Sequence, residues 1–346
     1  MENLLNYTPK ALKNLLVEEF SQKEFVVKQL LDWVYQKNVY DFDEMTNLSK
    51  KLRELLKERF EINLPKIHFK QKTADSKTIK LKLGLKDEKE VEAVFMKEQR
   101  HATICISTQV GCAQACVFCA TGKMGVIRNL TAGEIVGQFL AFRQLLGDKL
   151  GESIRIVYMG MGEPFHNQNQ VFKSLEIFTS PEAVGIGSRK ITISTSGVVK
   201  GIYRLMNEFP KVQLAISLHT VEQNLRKQWI PNQKESVQEI LDAAREFTKS
   251  TGRKITFEMV LFGGKGMQTA RLNKLGKQIK GIHCNVNGIP YNPIEGLGDD
   301  FIRPTHEEIN HFKEILSKWQ NEVTVRISRG REIQAACGQL IINTPA

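Results

Sequence analysis

Apolar positions in the N-terminal part of the chain recur at helical spacing. Val26, Val27, Leu30, Leu31 and Val34 form one stripe between Lys23 and Gln36, and Leu52, Leu55 and Leu56 form another between Ser49 and Phe60. An earlier helix begins at Thr8-Pro9, where a hydroxyl can cap the first turn and proline suits the first helical position. The pattern then changes. Ile79-Lys80-Leu81-Lys82-Leu83 alternates apolar with polar, the signature of a half-buried strand, and Val91–Phe95 and Ala102–Ile106 read as two more strands.

Beyond residue 101 strands and helices alternate. Short β-branched runs at Ile154–Met159, Lys190–Ser196, Val212–Leu218, Ile255–Leu261 and Val286–Pro290 are separated by helical patterns at Ala132–Leu146, Val171–Phe178, Val237–Thr248 and Ala270–Lys280. Such alternation builds a parallel sheet with right-handed crossovers. Six β/α units are too few to close an eight-fold barrel. The expected fold is therefore α/β: a partial (β/α)6 TIM-like barrel, open on one side, with an N-terminal helical module and a small β extension. The divisions fall at residues 1–62 for the helical module, 63–97 for the extension, 98–332 for the barrel and 333–346 for a C-terminal segment.

Composition narrows the class of protein. The 346 residues include 6 cysteines, three of them crowded into one loop, which suits a reducing compartment and a metal or catalytic role better than a secreted disulfide scaffold. The first residues lack the basic-then-apolar pattern of a signal peptide, and no apolar run approaches membrane-spanning length. A soluble cytoplasmic enzyme is expected, with no membrane partner. The net charge of +11 makes a polyanionic partner plausible, although many basic enzymes touch no nucleic acid. Residues 221–280 hold 12 Lys/Arg against 6 Asp/Glu, whereas residues 281–346 are slightly acidic. A basic surface on 221–280, including Arg226 and Lys227, would face nucleic-acid phosphates.

Candidate chemistry concentrates in Gly111-Cys112-Ala113-Gln114-Ala115-Cys116-Val117-Phe118-Cys119, a Cys-x3-Cys-x2-Cys run. Three thiolates on one loop can hold three corners of an iron–sulfur cube, whereas most electron-transfer clusters use four cysteines. The iron left free suits a small molecule, and S-adenosylmethionine (SAM) is the known occupant of such a site, its reductive cleavage supplying radical chemistry. Zinc with a distant fourth ligand, or buried thiols acting as small hydrophobes, are the competing readings. The loop follows the strand ending near Ser107, at the barrel face where active sites lie. Polar residues also end other strands, in Met159-Gly160-Met161-Gly162-Glu163-Pro164, Ser194-Thr195-Ser196-Gly197, Ser217-Leu218-His219 and Tyr291-Asn292-Pro293. Glycines there let backbone approach a ligand, and Glu163 could accept hydrogen bonds from an amino group.

These motifs together resemble the RlmN/Cfr family of radical SAM RNA methyltransferases, and within it the RlmN branch. The likeness runs over nearly the whole chain. It includes Tyr40-Asp41-Phe42-Asp43-Glu44-Met45-Thr46-Asn47-Leu48-Ser49, the cysteine triplet, Gly160-Met161-Gly162-Glu163-Pro164 and Ser194-Thr195-Ser196-Gly197-Val198-Val199. Ser217-Leu218-His219 and Ala335-Ala336-Cys337-Gly338-Gln339-Leu340 complete it. The resemblance implies a 4Fe–4S cluster on Cys112, Cys116 and Cys119, with SAM contacted by Gly162, Glu163, Ser194, Ser217, Leu218, His219 and Asn292. It also implies methylation of C2 of an adenosine in 23S rRNA, with tRNA as a further substrate and two SAM per turnover.

Adenine C2 and C8 are electron-poor carbons that cannot attack the methyl group of SAM directly. In the family a cysteine is methylated first, and Cys337 matches it. A radical formed on that methyl group adds to the base. Cys105 matches the cysteine that takes the ring proton and displaces the other sulfur in a transient disulfide, and Glu92 matches a proton acceptor. The resemblance further implies an RNA-engaging N-terminal module, a low-potential electron donor such as flavodoxin, and a monomer. Cfr-type C8 methylation would use the same residues, but Pro164, where Cfr proteins carry alanine, leans towards C2. A non-catalytic, metal-stabilised RNA-binding protein would need neither Cys105 nor Cys337. The chain departs from the family at Gly263-Gly264-Lys265-Gly266-Met267-Gln268, which lacks an Asn-Asp pair. It departs again at Trp229-Ile230-Pro231-Asn232-Gln233, in place of the usual Met-Pro-Ile-Asn. Both lie in or near the basic region and are expected to bear on RNA choice. Cys284 is expected only to pack.

Overall fold

The structure, a computed structural model, describes residues 1–151, 153–294, 301–319 and 322–340. Three amphipathic helices come first: α1 (Pro9–Glu18), α2 (Glu24–Tyr35) and α3 (Lys50–Arg59). The start of α1 follows from its residues, since the Thr8 hydroxyl accepts from the Ala11 amide at 3.2 Å and Pro9 opens the first turn. The apolar stripes of the three helices, among them Leu12, Leu16, Leu30, Leu31, Val34, Leu52 and Leu56, join a core continuous with the rest of the molecule.

A ten-stranded sheet follows among the described residues, and its spatial order is the chain order. β1 (Lys66–Lys72), β2 (Thr78–Gly84), β3 (Glu90–Lys97) and β4 (Ala102–Cys105) pair antiparallel. Periodicity gave no sign of β1, because this Lys-rich edge strand buries almost nothing. β2 was expected to be half buried and is buried on both faces: Lys80 is 7% exposed and meets Glu92 of β3 at 3.1 Å.

From β4 the sheet continues in parallel through β5 (Ile154–Tyr158), β6 (Ile191–Thr195), β7 (Gln213–Ser217), β8 (Ile255–Leu261) and β9 (Cys284–Pro290). These are the six strands of the expected partial barrel. A short β10 (Val323–Val325) adds a seventh parallel strand at the far edge. The connections hold α4 (Ala132–Leu146), α5 (Gln168–Thr179), α6 (Val199–Glu208), α7 (Gln223–Trp229), α8 (Val237–Thr251), α9 (Thr269–Ile279) and α10 (His306–Ser317).

Alternate strand positions do different work. Ile156, Ile193, Leu214, Ile216, Phe257 and Val286 are buried in the core. Arg155, Thr192, Gln213, Thr256, Asn285 and Thr324 line an open lumen. A closed eight-stranded barrel fills that space with branched apolar side chains; this one leaves it polar and accessible. No helix among the described residues is long and apolar enough to cross a membrane. Cys284 packs in the core as expected.

Candidate functional site

The carboxyl ends of the parallel strands open into one cavity. Its walls carry Cys112, Cys116 and Cys119 together with Gly162, Glu163, Ser194, Ser217, His219, Asn292 and Cys337. Leu218 is the exception among the expected SAM contacts: its side chain lies in the core, and its carbonyl accepts a hydrogen bond from Arg226.

Local backbone shapes the cysteine loop. Ala115 adopts a φ of 54°, and a Cβ on Gly122 would fall 2.8 Å from the Cys116 backbone, so only glycine fits there. The Cys119 amide donates to the Cys116 carbonyl at 3.1 Å, and the Val117 amide to the Trp229 carbonyl at 3.0 Å. The Ala120 amide donates to the Gly338 carbonyl at 2.8 Å, tying the loop to the segment that carries Cys337.

The three thiols share one electrostatic problem. Burial pushes Cys112 up to about 12, Cys116 well above its ordinary value and Cys119 upward, and the neighbouring thiolates add to the effect at Cys112 and Cys116. Such a set ionises together only around a positive centre. Among the described residues no three His, Cys, Asp or Glu side chains are arranged to hold a single metal ion. Three soft thiolate donors on one loop, with no fourth protein ligand beside them among the described residues, fit three corners of a four-iron cluster. Gln114 lines the same wall. Its Nε2 donates to the Ser196 hydroxyl at 2.8 Å, and its Oε1 is buried without a partner, an acceptor available to a bound group.

The other wall is held rigidly. Glu163 accepts from the Phe165 amide at 3.0 Å with one oxygen and from the Ser196 amide at 2.7 Å with the other. Gly162 has a φ of 99°, and a Cβ there would meet Gln109 at 2.6 Å. The hydroxyls of Ser194 and Ser217 lie 3.4 Å apart. The Val260 amide donates to His219 Nδ1 at 3.1 Å, and burial pulls the imidazole down to about 3, so the ring stays neutral. Asn292 donates to the Cys337 carbonyl at 3.1 Å and the Ser328 hydroxyl at 3.0 Å.

Cys105 and Cys337, distant in sequence, line a second, smaller cavity with Met96, Met159, Ile289 and Arg326, and Cys337 borders both cavities. Burial pushes the Cys105 thiol up to about 12, and the charge of Cys337 adds to it. Cys337 is open to water inside its cavity yet ringed by protein, and that enclosure raises its thiol too. All six cysteines are free thiols.

Three expectations change. Glu92 lines neither cavity; it is buried against Lys80, whose ammonium also donates to the Gln334 carbonyl at 3.4 Å. Arg226 is no surface residue. At 1% exposure it points inward from α7 and donates to the carbonyls of Ser196, Ser217 and Leu218, fastening the ends of β6 and β7. Its one sequence signal was its place four residues before Ile230, the apolar residue that caps the end of α7. The Trp229–Gln233 departure also braces the cysteine loop: Trp229 packs edge-on against Phe262 at 5.0 Å, Ile230 joins the cluster around Phe118, and Asn232 donates to the Ala113 carbonyl at 2.7 Å. The Gly263–Gln268 departure forms a 3₁₀ turn at Gly264–Met267 leading into α9.

A partial parallel barrel whose first strand runs into a three-cysteine loop, with a polar cavity at the strand ends, defines a radical SAM enzyme. The radical SAM superfamily model matches residues 106–274, and the ribosomal RNA large subunit methyltransferase N-terminal domain matches residues 2–62. The chain is 41% identical over 344 residues to a probable dual-specificity RNA methyltransferase RlmN of Fervidobacterium nodosum, covering 98% of this chain and 97% of that one. A Clostridium perfringens protein of the same name is 41% identical over 341 residues, covering 98% and 96%. A crystal structure of a radical SAM methyltransferase from Sphaerobacter thermophilus superposes with a TM-score of 0.92 at 38% identity, covering 98% and 99%. The chain belongs to the RlmN family of radical SAM RNA methyltransferases.

Proposed function

We propose that this chain methylates C2 of an adenosine in 23S rRNA, and of tRNA as a second substrate, through a methylated Cys337. The observation that carries the reading is Cys105 facing the same cavity as Cys337, beside the cysteine triplet. Neither the cluster nor SAM binding needs those two thiols. The two RNA classes rest on the dual-specificity name of the relatives.

When bound, the cluster held by Cys112, Cys116 and Cys119, together with SAM, would supply a 5′-deoxyadenosyl radical. The chain's own residues do the rest. Glu163, already fixed by two amides, keeps lone pairs for the amino group of SAM, while Ser194, Ser217 and Asn292 offer hydrogen bonds around it. Gly162 and the neutral His219 shape the wall, and Leu218 contributes through its backbone. Cys337 accepts the methyl group as a thiolate. Cys105 takes the proton from the base carbon, and its sulfur then bonds to that of Cys337 as the link from the Cys337 sulfur to the methylene carbon breaks. The methylene carbon takes up a proton to become the methyl group, one electron would pass back to the bound cluster, and a disulfide remains. The adenine must leave its stack to reach this wall. Glu92 acts through Lys80, which holds the Gln334 carbonyl.

In this reading residues 1–62 engage RNA, 63–97 extend the sheet, 98–332 form the radical SAM barrel and 333–346 carry the methyl-accepting cysteine; residues 341–346 lie outside the described residues. The enzyme works in the cytoplasm as a monomer, with a low-potential donor such as flavodoxin. Mass spectrometry of rRNA and tRNA nucleosides from cells with and without the gene tests the reading. Loss of 2-methyladenosine with the gene is expected; loss of 8-methyladenosine instead would establish C8 chemistry, and no change in either would overturn the proposal.

A further inference from the structure

We propose that Arg303, Arg326, Arg329 and Arg331 form a phosphate-binding rim around Cys337 that seats the backbone of the RNA on either side of the target nucleotide. This rests on the RNA methyltransferase reading above. The sequence places its basic excess in residues 221–280, but part of that charge is engaged within the fold. Arg226 is buried, and Arg245, Lys254 and Arg271 are ion-paired to Asp242, Glu322 and Glu222. Among the described residues, no Lys or Arg of that stretch lines either cavity.

The four arginines sit where the substrate must arrive. Arg326 and Arg329 line the cavity that holds Cys105 and Cys337. Arg329 is aimed by its own hydrogen bond to the Lys97 carbonyl at 3.0 Å. Arg303 is tied to the site through Asn292, donating to the Tyr291 carbonyl at 2.9 Å and to Asn292 Oδ1 at 3.2 Å. Arg331 is near enough for Arg303 to feel its charge. Between Arg329 and Arg331 the backbone makes a built turn. Gly330 has a φ of 69°, and its carbonyl accepts from the Ile333 amide at 3.2 Å and the Ala335 amide at 2.8 Å.

Among the described residues none of the four has a carboxylate in ion-pair contact, although Arg326, Arg329 and Arg331 are exposed. Glu258, itself buried, lies within Coulombic reach of Arg326, but like charges gathered round one opening still repel, and a polyanion relieves that repulsion. The guanidinium fork matches a phosphate in two hydrogen bonds. The geometry thus separates two tasks: the apolar cleft between Cys105 and Cys337 takes the base, and the rim takes the phosphates.

The test uses full-length, cluster-loaded protein and a 23S rRNA fragment that the wild type methylates. Affinity is measured against salt concentration for the Arg329→Gln/Arg331→Gln double variant. Binding should weaken about tenfold or more, and the slope of log affinity against log salt should fall by about two, one for each lost phosphate contact. KM should rise far more than kcat falls, and Arg329→Lys/Arg331→Lys should restore the slope. Iron content and SAM affinity equal to wild type would show that the variant is folded, and Lys227→Gln should leave the slope unchanged. A double variant with intact iron content and the full wild-type salt slope overturns the rim. Loss of SAM affinity along with RNA binding also overturns it, because the arginines would then support the protein's own site. A wild type that neither binds nor methylates the fragment would instead overturn the RNA methyltransferase reading itself.

Discussion

Replacing Lys80 with methionine would break the most deeply buried ion pair beside the site. The Lys80 and Glu92 side chains are 9% and 4% exposed and their charged atoms lie 3.1 Å apart. With an effective dielectric of about 20, two unit charges at that distance attract by about 5 kcal/mol, most of which offsets the cost of taking both out of water. Removing one partner takes that compensation away from the other. Lys80→Met should therefore destabilise the fold by about 3–5 kcal/mol, a large share of a typical stability of about 5–15 kcal/mol. The double variant Lys80→Met/Glu92→Leu removes both charges and should return to within about 1–2 kcal/mol of wild type. Urea unfolding of wild type, both single variants and the double variant closes a mutant cycle. The reasoning is refuted if Lys80→Met costs under about 1 kcal/mol, or if the double variant loses the sum of the two singles. Methylation of Cys337 should separate from stability. Lys80→Met and the double variant both lack the Lys80 bond to the Gln334 carbonyl, so the double variant should be stable yet slow to methylate Cys337.

Four further outcomes are expected. Anaerobically reconstituted protein should be brown with about four irons per chain, and alanine at Cys112, Cys116 or Cys119 should bleach it; a colourless protein holding one zinc would end the cluster assignment. Cys105→Ala should trap a covalent protein–RNA species joined through Cys337, seen on denaturing gels and removed by nuclease, while Cys337→Ala should give neither product nor adduct. Arg226→Met should cost about 3 kcal/mol or more and abolish SAM binding by calorimetry, because buried carbonyls lose their donors, whereas Lys227→Met should stay within about 0.5 kcal/mol of wild type. His219 is neutral when folded but takes up a proton below about pH 6.5 when unfolded, so its contribution is complete above that pH and is lost towards pH 3 at up to about 1.4 kcal/mol per pH unit. His219→Phe should remove that part of the pH dependence of unfolding, and an unchanged profile would show that the imidazole is not held neutral.

The sequence by itself determined the features that depend on near neighbours. Thr8-Pro9 starts a helix because a cap and a first-turn proline act within one turn, and the six barrel strands were legible because alternation of elements demands parallel crossovers. The cysteine triplet was equally legible, since its ligand spacing lies within one loop, and the polar strand ends followed from where such barrels keep their chemistry. Tertiary structure decided what depends on distant partners. Only the fold brings Cys105 and Cys337 to one cavity, and only the antiparallel extension buries Lys80 against Glu92 where the pattern suggested a wetted face. Charge was the most misleading signal. Residues 221–280 look basic, yet Arg226 is turned inward to hold strand-end carbonyls, while the segment after residue 281 is acidic in sum and still places exposed arginines beside Cys337. Composition adds charges along the chain, whereas a polyanion meets only those that the fold leaves exposed and gathers on one face.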